Sequence, residues 1–191
     1  MKLIFTNFQD RDSATGSDRQ RQEVKGMVQN GKQMRMQKGE TWKFTYSMYI
    51  PSSLHATSSF THIAQMKVPN ADSENGEPIY VMSLRKKGDK GTIEAQVTTG
   101  SNHLGDTPLE PLHDKWIDVE LEYHVDDTKG SANWTISSDS KSVVHGTKSN
   151  VKTFFTDSVR PKWGIYRSLN DEKEIIECYL LLTKMRAYKL E

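Results

Sequence analysis

Apolar and polar residues alternate with a period of two along much of this chain. In the clearest stretch every second residue is apolar, namely Ile117, Val119, Leu121 and Tyr123, and the residues between them are polar or acidic. This period is typical of β-strands that bury one face. Further strands are predicted at residues 41–50, 61–68, 79–85, 93–97, 131–137, 162–168 and 175–189, with turn signals between them. Residues 99–115 show no clear strand pattern and are predicted to form a long loop.

These elements predict an all-β fold, a β-jelly-roll sandwich of two antiparallel sheets. The apolar sides of the strands would form the core, and the polar sides would face solvent or a concave cleft. The chain has 191 residues and neither a linker nor an internal repeat, which predicts a single domain over residues 1–191.

The composition narrows the classes of protein that fit. The sequence has four Trp and 35% hydrophobic residues, which favours a packed core over disorder. Its 26 basic and 25 acidic residues nearly cancel, which argues against a globally basic nucleic-acid binder. No apolar run approaches the ~18 residues of a membrane span. The single cysteine, Cys178, excludes an intrachain disulfide and a multi-cysteine metal site.

Candidate chemistry lies in three short segments, in each of which residues at i and i+2 share one face of a predicted strand. The side chains that share a face are Arg19, Arg21, Glu23 and Lys25 in the first segment, Gln65 and Lys67 in the second, and Lys162 and Tyr166 in the third. Gly164 lies between Lys162 and Tyr166. Because glycine has no side chain, we expect a hollow here in which a ligand could approach the backbone. Trp163 and Ile165 would point into the core.

The three segments resemble the motifs of jelly-roll alginate lyases, Arg-x-Glu-x-Arg, Gln-x-His and Lys-x-Gly-x-Tyr. Longer sequence segments are still more similar to those of endo-β-1,4-glucuronan lyases. These segments are residues 19–25, 39–42, 49–51, 62–67 and 160–168. The resemblance extends over roughly residues 19–168. It implies an extracellular polysaccharide lyase that cleaves an acidic polysaccharide endolytically.

Two departures from the alginate-lyase pattern affect this interpretation. Lys67 stands where those enzymes have a catalytic histidine, and Lys25 replaces the second arginine. His62 lies an odd number of residues from Gln65, so it is predicted on the opposite face of the strand. The pattern therefore predicts no histidine beside Gln65.

A polyuronate lyase must neutralise the C6 carboxylate, remove the C5 proton and protonate the departing O4. Gln65 and Arg21 are candidates for the first task, because an amide and a guanidinium both bind carboxylate. Tyr166 is the candidate base, since neighbouring cations favour an ionised phenol. These three are the predicted catalytic residues. The predicted substrate-binding residues are Arg19, Glu23, Lys25, Lys67, Arg85, His103 and Lys162.

Stereochemistry favours one class of substrate. In β-1,4-linked glucuronate and mannuronate the C5 hydrogen and O4 lie on the same side of the ring, so one tyrosine can serve both steps. Without a histidine beside Gln65, glucuronan is the favoured substrate and a mannuronate-specific alginate lyase is the alternative. A non-catalytic carbohydrate-binding sandwich is a second alternative. A glycoside hydrolase that uses Asp118, Glu120 and Glu122 is a third, although an outward-facing acidic strand explains these residues more simply.

The remaining expectations concern partners and location. The predicted binding residues are mostly basic, whereas the strand around Glu120 is acidic. Charge would therefore be segregated on a protein whose net charge is nearly zero. An acidic polysaccharide is the expected partner, without nucleic acid or membrane, and a monomer is expected. The reaction requires no cofactor, although acidic turns at residues 72–75 and 126–127 could hold a structural calcium. Catalytic participation of His103 or His113 stays open. Residues 1–5 are too short an apolar run for a signal peptide, so either the protein stays in the cell or the sequence begins after processing.

Overall fold

The computed structural model describes residues 2–6, 18–69 and 77–191, which form two six-stranded antiparallel sheets. Sheet A contains, in spatial order, β1 (Lys2–Thr6), β14 (Cys178–Leu190), β5 (Thr41–Tyr49), β10 (Trp116–His124), β11 (Gly130–Ser138) and β12 (Lys141–Val151). Sheet B contains β2 (Arg19–Lys25), β13 (Arg160–Ser168), β6 (Thr61–Lys67), β7 (Tyr80–Lys87), β8 (Lys90–Val97) and β9 (Asn102–Pro108). A small hairpin joins β3 (Met27–Gln29) to β4 (Lys32–Met34). The predicted all-β jelly roll is confirmed.

The core lies between the two sheets and is built by the alternating strands. In β10 the apolar residues from Ile117 to Tyr123 are buried, while the intervening side chains reach the surface. Trp163 of sheet B packs edge-on against Phe44 and Tyr46 of sheet A, with ring centroids 6.1 and 6.0 Å apart. The described helices are three short 3₁₀ turns, at Thr99–Ser101, Glu110–Leu112 and Glu172–Glu174, and no helix in the described ranges is long and apolar enough to cross a bilayer.

Besides β1 and the β3–β4 hairpin, which were not predicted, two longer strands depart from the expectations. Residues 99–115 were expected to form a loop, but β9 occupies most of the first half of this segment, and β12 had no predicted counterpart. Both are edge strands whose side chains are largely exposed, so neither shows a period of two in hydrophobicity. Gly146 of β12 packs against β9, because a Cβ at this position would lie 2.1 Å from the Leu104 carbonyl oxygen. Close backbone contact therefore joins these edges.

Candidate active site

The three sequence motifs lie on neighbouring strands of sheet B, because β13 pairs with β2 on one side and with β6 on the other. In this register Tyr166 is opposite Arg21, and Gly164 is opposite Glu23. Lys162 lies between Lys25 of β2 and Gln65 of β6. The long connections between the strands thus bring together residues that are far apart in sequence.

Two arginines of β2 contact the phenol of Tyr166. Arg19 Nη1 donates a hydrogen bond to Tyr166 Oη at 3.1 Å, and the guanidinium carbon of Arg21 lies 4.1 Å from the centre of the ring. The pKa of Arg19 is raised by its hydrogen bond to Asp18 and, to a smaller extent, by its contact with Tyr166. Positive charge close to a phenol stabilises negative charge on its oxygen. This arrangement can support proton transfer by Tyr166.

A buried carboxylate organises the neighbouring part of the face. Glu23 Oε1 accepts a hydrogen bond from Gln65 Nε2 at 2.5 Å, and Glu23 Oε2 accepts one from Lys162 Nζ. Arg21 Nε lies 3.6 Å from the same Oε2. The Glu23 and Lys162 side chains are only 3% and 4% exposed. Gln65 is itself only 2% exposed, so we expect Glu23 and Lys162 to fix the orientation of its amide, whose second N–H remains for a ligand that reaches it.

The lysines of this face differ in their environments. Burial lowers the pKa of Lys162, and the contact with Glu23 opposes this shift. Burial is also the main reason why the pKa of Lys67 is lowered, and the charge of Arg21 lowers it further. Lys67 is half-buried at the end of β6, and Lys25 is exposed at the end of β2. Positive charge therefore lines the surface next to Gln65.

The remaining predicted binding residues lie farther along sheet B. Arg85 Nε on β7 is 3.3 Å from Glu94 Oε1 on β8, and Lys87 Nζ is 3.6 Å from Glu94 Oε2. His103 is exposed on edge strand β9, where its Nε2 lies 3.0 Å from Asp106 Oδ2. Both Arg85 and His103 are accessible to a ligand, and both have an acidic partner.

His62 lies beside Tyr166, so the prediction that it faces the other way is wrong. The pairing of β6 shifts between His62 and Ala64, and Tyr166 is opposite His62 as a result. The two ring centroids are 5.9 Å apart, and His62 Nδ1 is 2.7 Å from Ser83 Oγ. Burial lowers the pKa of His62 to about 3, with a further contribution from Arg85. A β-bulge reverses the facing that simple alternation predicts, and the sequence gives no signal for it.

Gly164 has a different role from the ligand hollow that was expected. Its φ is +146°, and a Cβ at this position would lie 2.1 Å from the carbonyl oxygen of Gln22. The missing side chain is therefore needed for the close approach of β2, the strand that carries Arg21 and Glu23. The contact fixes the spacing of the motifs rather than opening a space between them.

Other candidates lie away from this arrangement. His113 lines a separate cavity of about 180 Å³ with His55 and Glu174, and burial lowers its pKa. Asp126 Oδ1 accepts hydrogen bonds from the backbone of residues 128 and 129, which lower its pKa to about 2, and Asp127 pairs with Lys38. Residues 72–75, the other suggested calcium turn, lie outside the described residues. Within the described ranges, no group of three or more His, Cys, Asp or Glu side chains is arranged to hold a metal ion.

No protein-family model matches the sequence, and no curated protein is significantly similar to it. Solved structures are similar in fold. Alginate lyase AlgAT5 from polysaccharide lyase family 7 aligns with 99% of this chain and 78% of its own, at a TM-score of 0.63 and 13% identity. The family 7 alginate lyase A1-II', with one histidine and one tyrosine substituted and with substrate bound, aligns over 99% and 78%, at a TM-score of 0.61 and 17% identity. An alginate lyase from Pseudomonas aeruginosa aligns over 90% and 75%, at a TM-score of 0.54 and 12% identity. The chain thus has the jelly-roll fold of these alginate lyases.

Proposed function

We propose that this protein is an endolytic polyuronate lyase that cleaves β-1,4-linked glucuronan by β-elimination. The observation that supports this most is the contact of the Tyr166 phenol with the Arg19 and Arg21 guanidinium groups, on the same strand as Lys162 and next to the strand that carries Gln65. A tyrosine surrounded by cations suits a reaction in which a proton leaves a carbon next to a carboxylate. The fold is also that of solved alginate lyases.

In the proposed mechanism, Gln65 and Arg21 bind the C6 carboxylate of the uronate and stabilise the charge that develops on it. Ionised Tyr166 takes the C5 proton. The electron pair of the C5–H bond forms a C4–C5 double bond, and the C4–O4 bond breaks. Tyr166 then gives its proton to O4, which restores the phenolate and leaves an unsaturated uronate at the new chain end.

The preference for glucuronan depends on the same-side geometry of the C5 hydrogen and O4, which needs only one proton-transfer group. Since His62 lies beside Tyr166, a second group for opposite-side elimination is within reach of the site. However, a histidine with a pKa of about 3 is neutral and binds a proton weakly. We therefore keep Tyr166 as the sole base and glucuronan as the first substrate. A mannuronate-specific alginate lyase, which needs the same geometry, is the alternative.

The test is a substrate panel in which every polymer is followed by two signals. Glucuronan, polymannuronate, polyguluronate, polygalacturonate and a neutral β-glucan are incubated with the protein. The ultraviolet absorbance of the conjugated double bond and the number of reducing ends are measured together. We expect both signals to rise equally, fastest with glucuronan, and mid-chain cleavage to lower viscosity early.

Other outcomes would separate the alternatives. Equal rates on polygalacturonate and glucuronan would contradict the single-tyrosine mechanism and make His62→Gln the next variant to assay. Polymannuronate as the best substrate would favour the alginate alternative. Reducing ends without ultraviolet absorbance would indicate hydrolysis. Binding of polyuronates with neither signal would indicate a non-catalytic carbohydrate-binding protein.

A further inference from the structure

A second polar surface lies on the solvent side of sheet A, on the opposite sheet from Tyr166. Its side chains form cross-strand rows, each with one residue from β14, β5 and β10. Three successive rows are Leu181–Tyr49–Trp116, Thr183–Ser47–Asp118 and Arg186–Thr45–Glu120. The first row is apolar and aromatic, and the next two are polar. This surface is called the sheet A face below.

Aromatic rings form one end of the sheet A face. Tyr49 and Trp116 have ring centroids 5.7 Å apart, and Tyr49 is parallel to Tyr179 at 6.3 Å. Trp116 is 41% exposed, which is unusual for so large an apolar side chain. The rings lie across three adjacent strands and offer a continuous apolar platform to a ligand.

A cavity of about 470 Å³ adjoins this platform and is lined by hydroxyls, carboxylates and cations. This volume lies within the ~300–1,000 Å³ typical of ligand sites. Ser47 Oγ donates a hydrogen bond to Asp118 Oδ1 at 2.5 Å, and Glu120 pairs with Lys43 at 2.8 Å. Lys184 and Arg186 line the cavity from β14. Acidic and basic groups are therefore interspersed on this face, in contrast to the cations grouped around Tyr166.

We propose that the sheet A face binds a neutral polysaccharide chain. A sugar ring has an apolar C–H face that fits aromatic rings such as Trp116, and hydroxyls that can donate to carboxylates such as Asp118. A polyuronate gains no net attraction from this surface, because the carboxylates of Asp118, Glu120 and Glu122 offset the neighbouring cations of Lys43, Lys184 and Arg186. The site would attach the protein to a neutral matrix while sheet B acts on an acidic polymer. It does not depend on the proposed lyase activity.

The experiment measures binding of cellohexaose and laminarihexaose to the full chain by calorimetry. We expect at least one hexasaccharide to bind with a Kd of about 1 mM or tighter. Trp116→Ala should weaken this binding about tenfold or more, as loss of a central aromatic anchor does. Asp118→Asn keeps the shape of the side chain and should weaken binding several-fold. Ile176→Ala is the matched control, because Ile176 is also 41% exposed but lies outside the cross-strand rows of the sheet A face, and it should leave binding unchanged.

Thermal unfolding of each variant separates loss of the site from loss of the fold. The proposal is overturned if neither hexasaccharide binds at about 1 mM, or if Trp116→Ala and Asp118→Asn both bind as the parent does. Tighter binding of oligoglucuronate than of either hexasaccharide, weakened by Trp116→Ala, would overturn the neutral class of ligand. Shortening of either probe would show hydrolysis and overturn a purely binding role.

Discussion

The two sheets use charged residues in opposite ways. On sheet B the Glu23–Lys162 pair is buried beneath the surface, and arginines converge on one phenol. On sheet A the Glu120–Lys43 pair is exposed, and cations alternate with acids and hydroxyls. A buried pair costs desolvation energy and fixes its neighbours, whereas an exposed pair contributes little. The difference is consistent with the two proposals, a preorganised reaction site on sheet B and a polar binding surface on sheet A.

The largest expected difference between the sheets is in stability. Glu23→Gln leaves Lys162 without its buried counter-charge and should lower the free energy of unfolding by about 3–5 kcal/mol. Glu120→Gln, which breaks the exposed pair with Lys43, should cost less than about 1 kcal/mol. Denaturant unfolding of both variants measures the two values. Similar losses would mean that burial does not distinguish the pairs.

Gln65→Ala tests whether the proposed site on sheet B stabilises the transition state. The amide should interact most strongly with the carboxylate as charge develops in the transition state, so kcat should fall about 10²–10³-fold. KM for glucuronan should change much less. The free energy of unfolding is measured in parallel, because Gln65 also donates to Glu23. An effect confined to KM would show that Gln65 only binds substrate.

Ionic strength should affect ligand binding at the two surfaces differently, although the expected change is smaller than that of kcat in Gln65→Ala. Raising the ionic strength from about 0.01 M to 0.15 M shortens the screening length from about 30 Å to 8 Å. Because positive charge is grouped around Tyr166, KM for glucuronan should rise several-fold. Binding of a neutral hexasaccharide to the sheet A face should stay nearly constant. A KM that does not respond to salt would contradict an electrostatic role for sheet B.

A further prediction concerns His62 and the pH dependence of stability. Its pKa falls from 6.5 to about 3 on folding, so between these values the unfolded chain binds more protons. The stability contributed by neutral His62 is complete above about pH 6.5 and decreases as the pH falls towards 3. His62→Gln should therefore lose less stability than the parent over this range. Identical slopes in pH-dependent denaturation would show that His62 is not buried as a neutral group.

Strand patterns carried most of the information about fold and motif placement. The alternation in β10 predicts its buried and exposed sides, since each side chain faces a uniform environment. The edge strand β12 could not be predicted in this way, because most of its side chains are exposed and Gly146 is required by contact with Leu104. Alternation of apolar and polar residues therefore predicts strands that have one buried and one exposed side. It does not predict edge strands whose position depends on backbone contacts.

The site was harder to predict than the fold, because its details depend on contacts between distant segments. The i, i+2 spacing places Arg21 and Tyr166 on faces that can meet, but only the sheet order makes them neighbours. The bulge that brings His62 to Tyr166 follows from the pairing of three strands. The burial of Glu23 and its contacts with Gln65 and Lys162 likewise depend on residues from three separate segments, and no single segment encodes them.

The central claim is that Tyr166 transfers the proton, and Tyr166→Phe tests it most directly. The variant keeps the ring that packs against Phe60 and Arg21 and loses the hydroxyl bonded to Arg19, so the fold should lose only about 1 kcal/mol. Single-turnover formation of the unsaturated product from glucuronan is measured together with glucuronan binding, and Tyr188→Phe on sheet A is the control. We predict that Tyr166→Phe binds normally and forms product at least about 10²-fold more slowly, while Tyr188→Phe matches the parent. Normal binding with product formation within about tenfold of the parent rate would be too small a loss for a proton-transfer group and would contradict the mechanism.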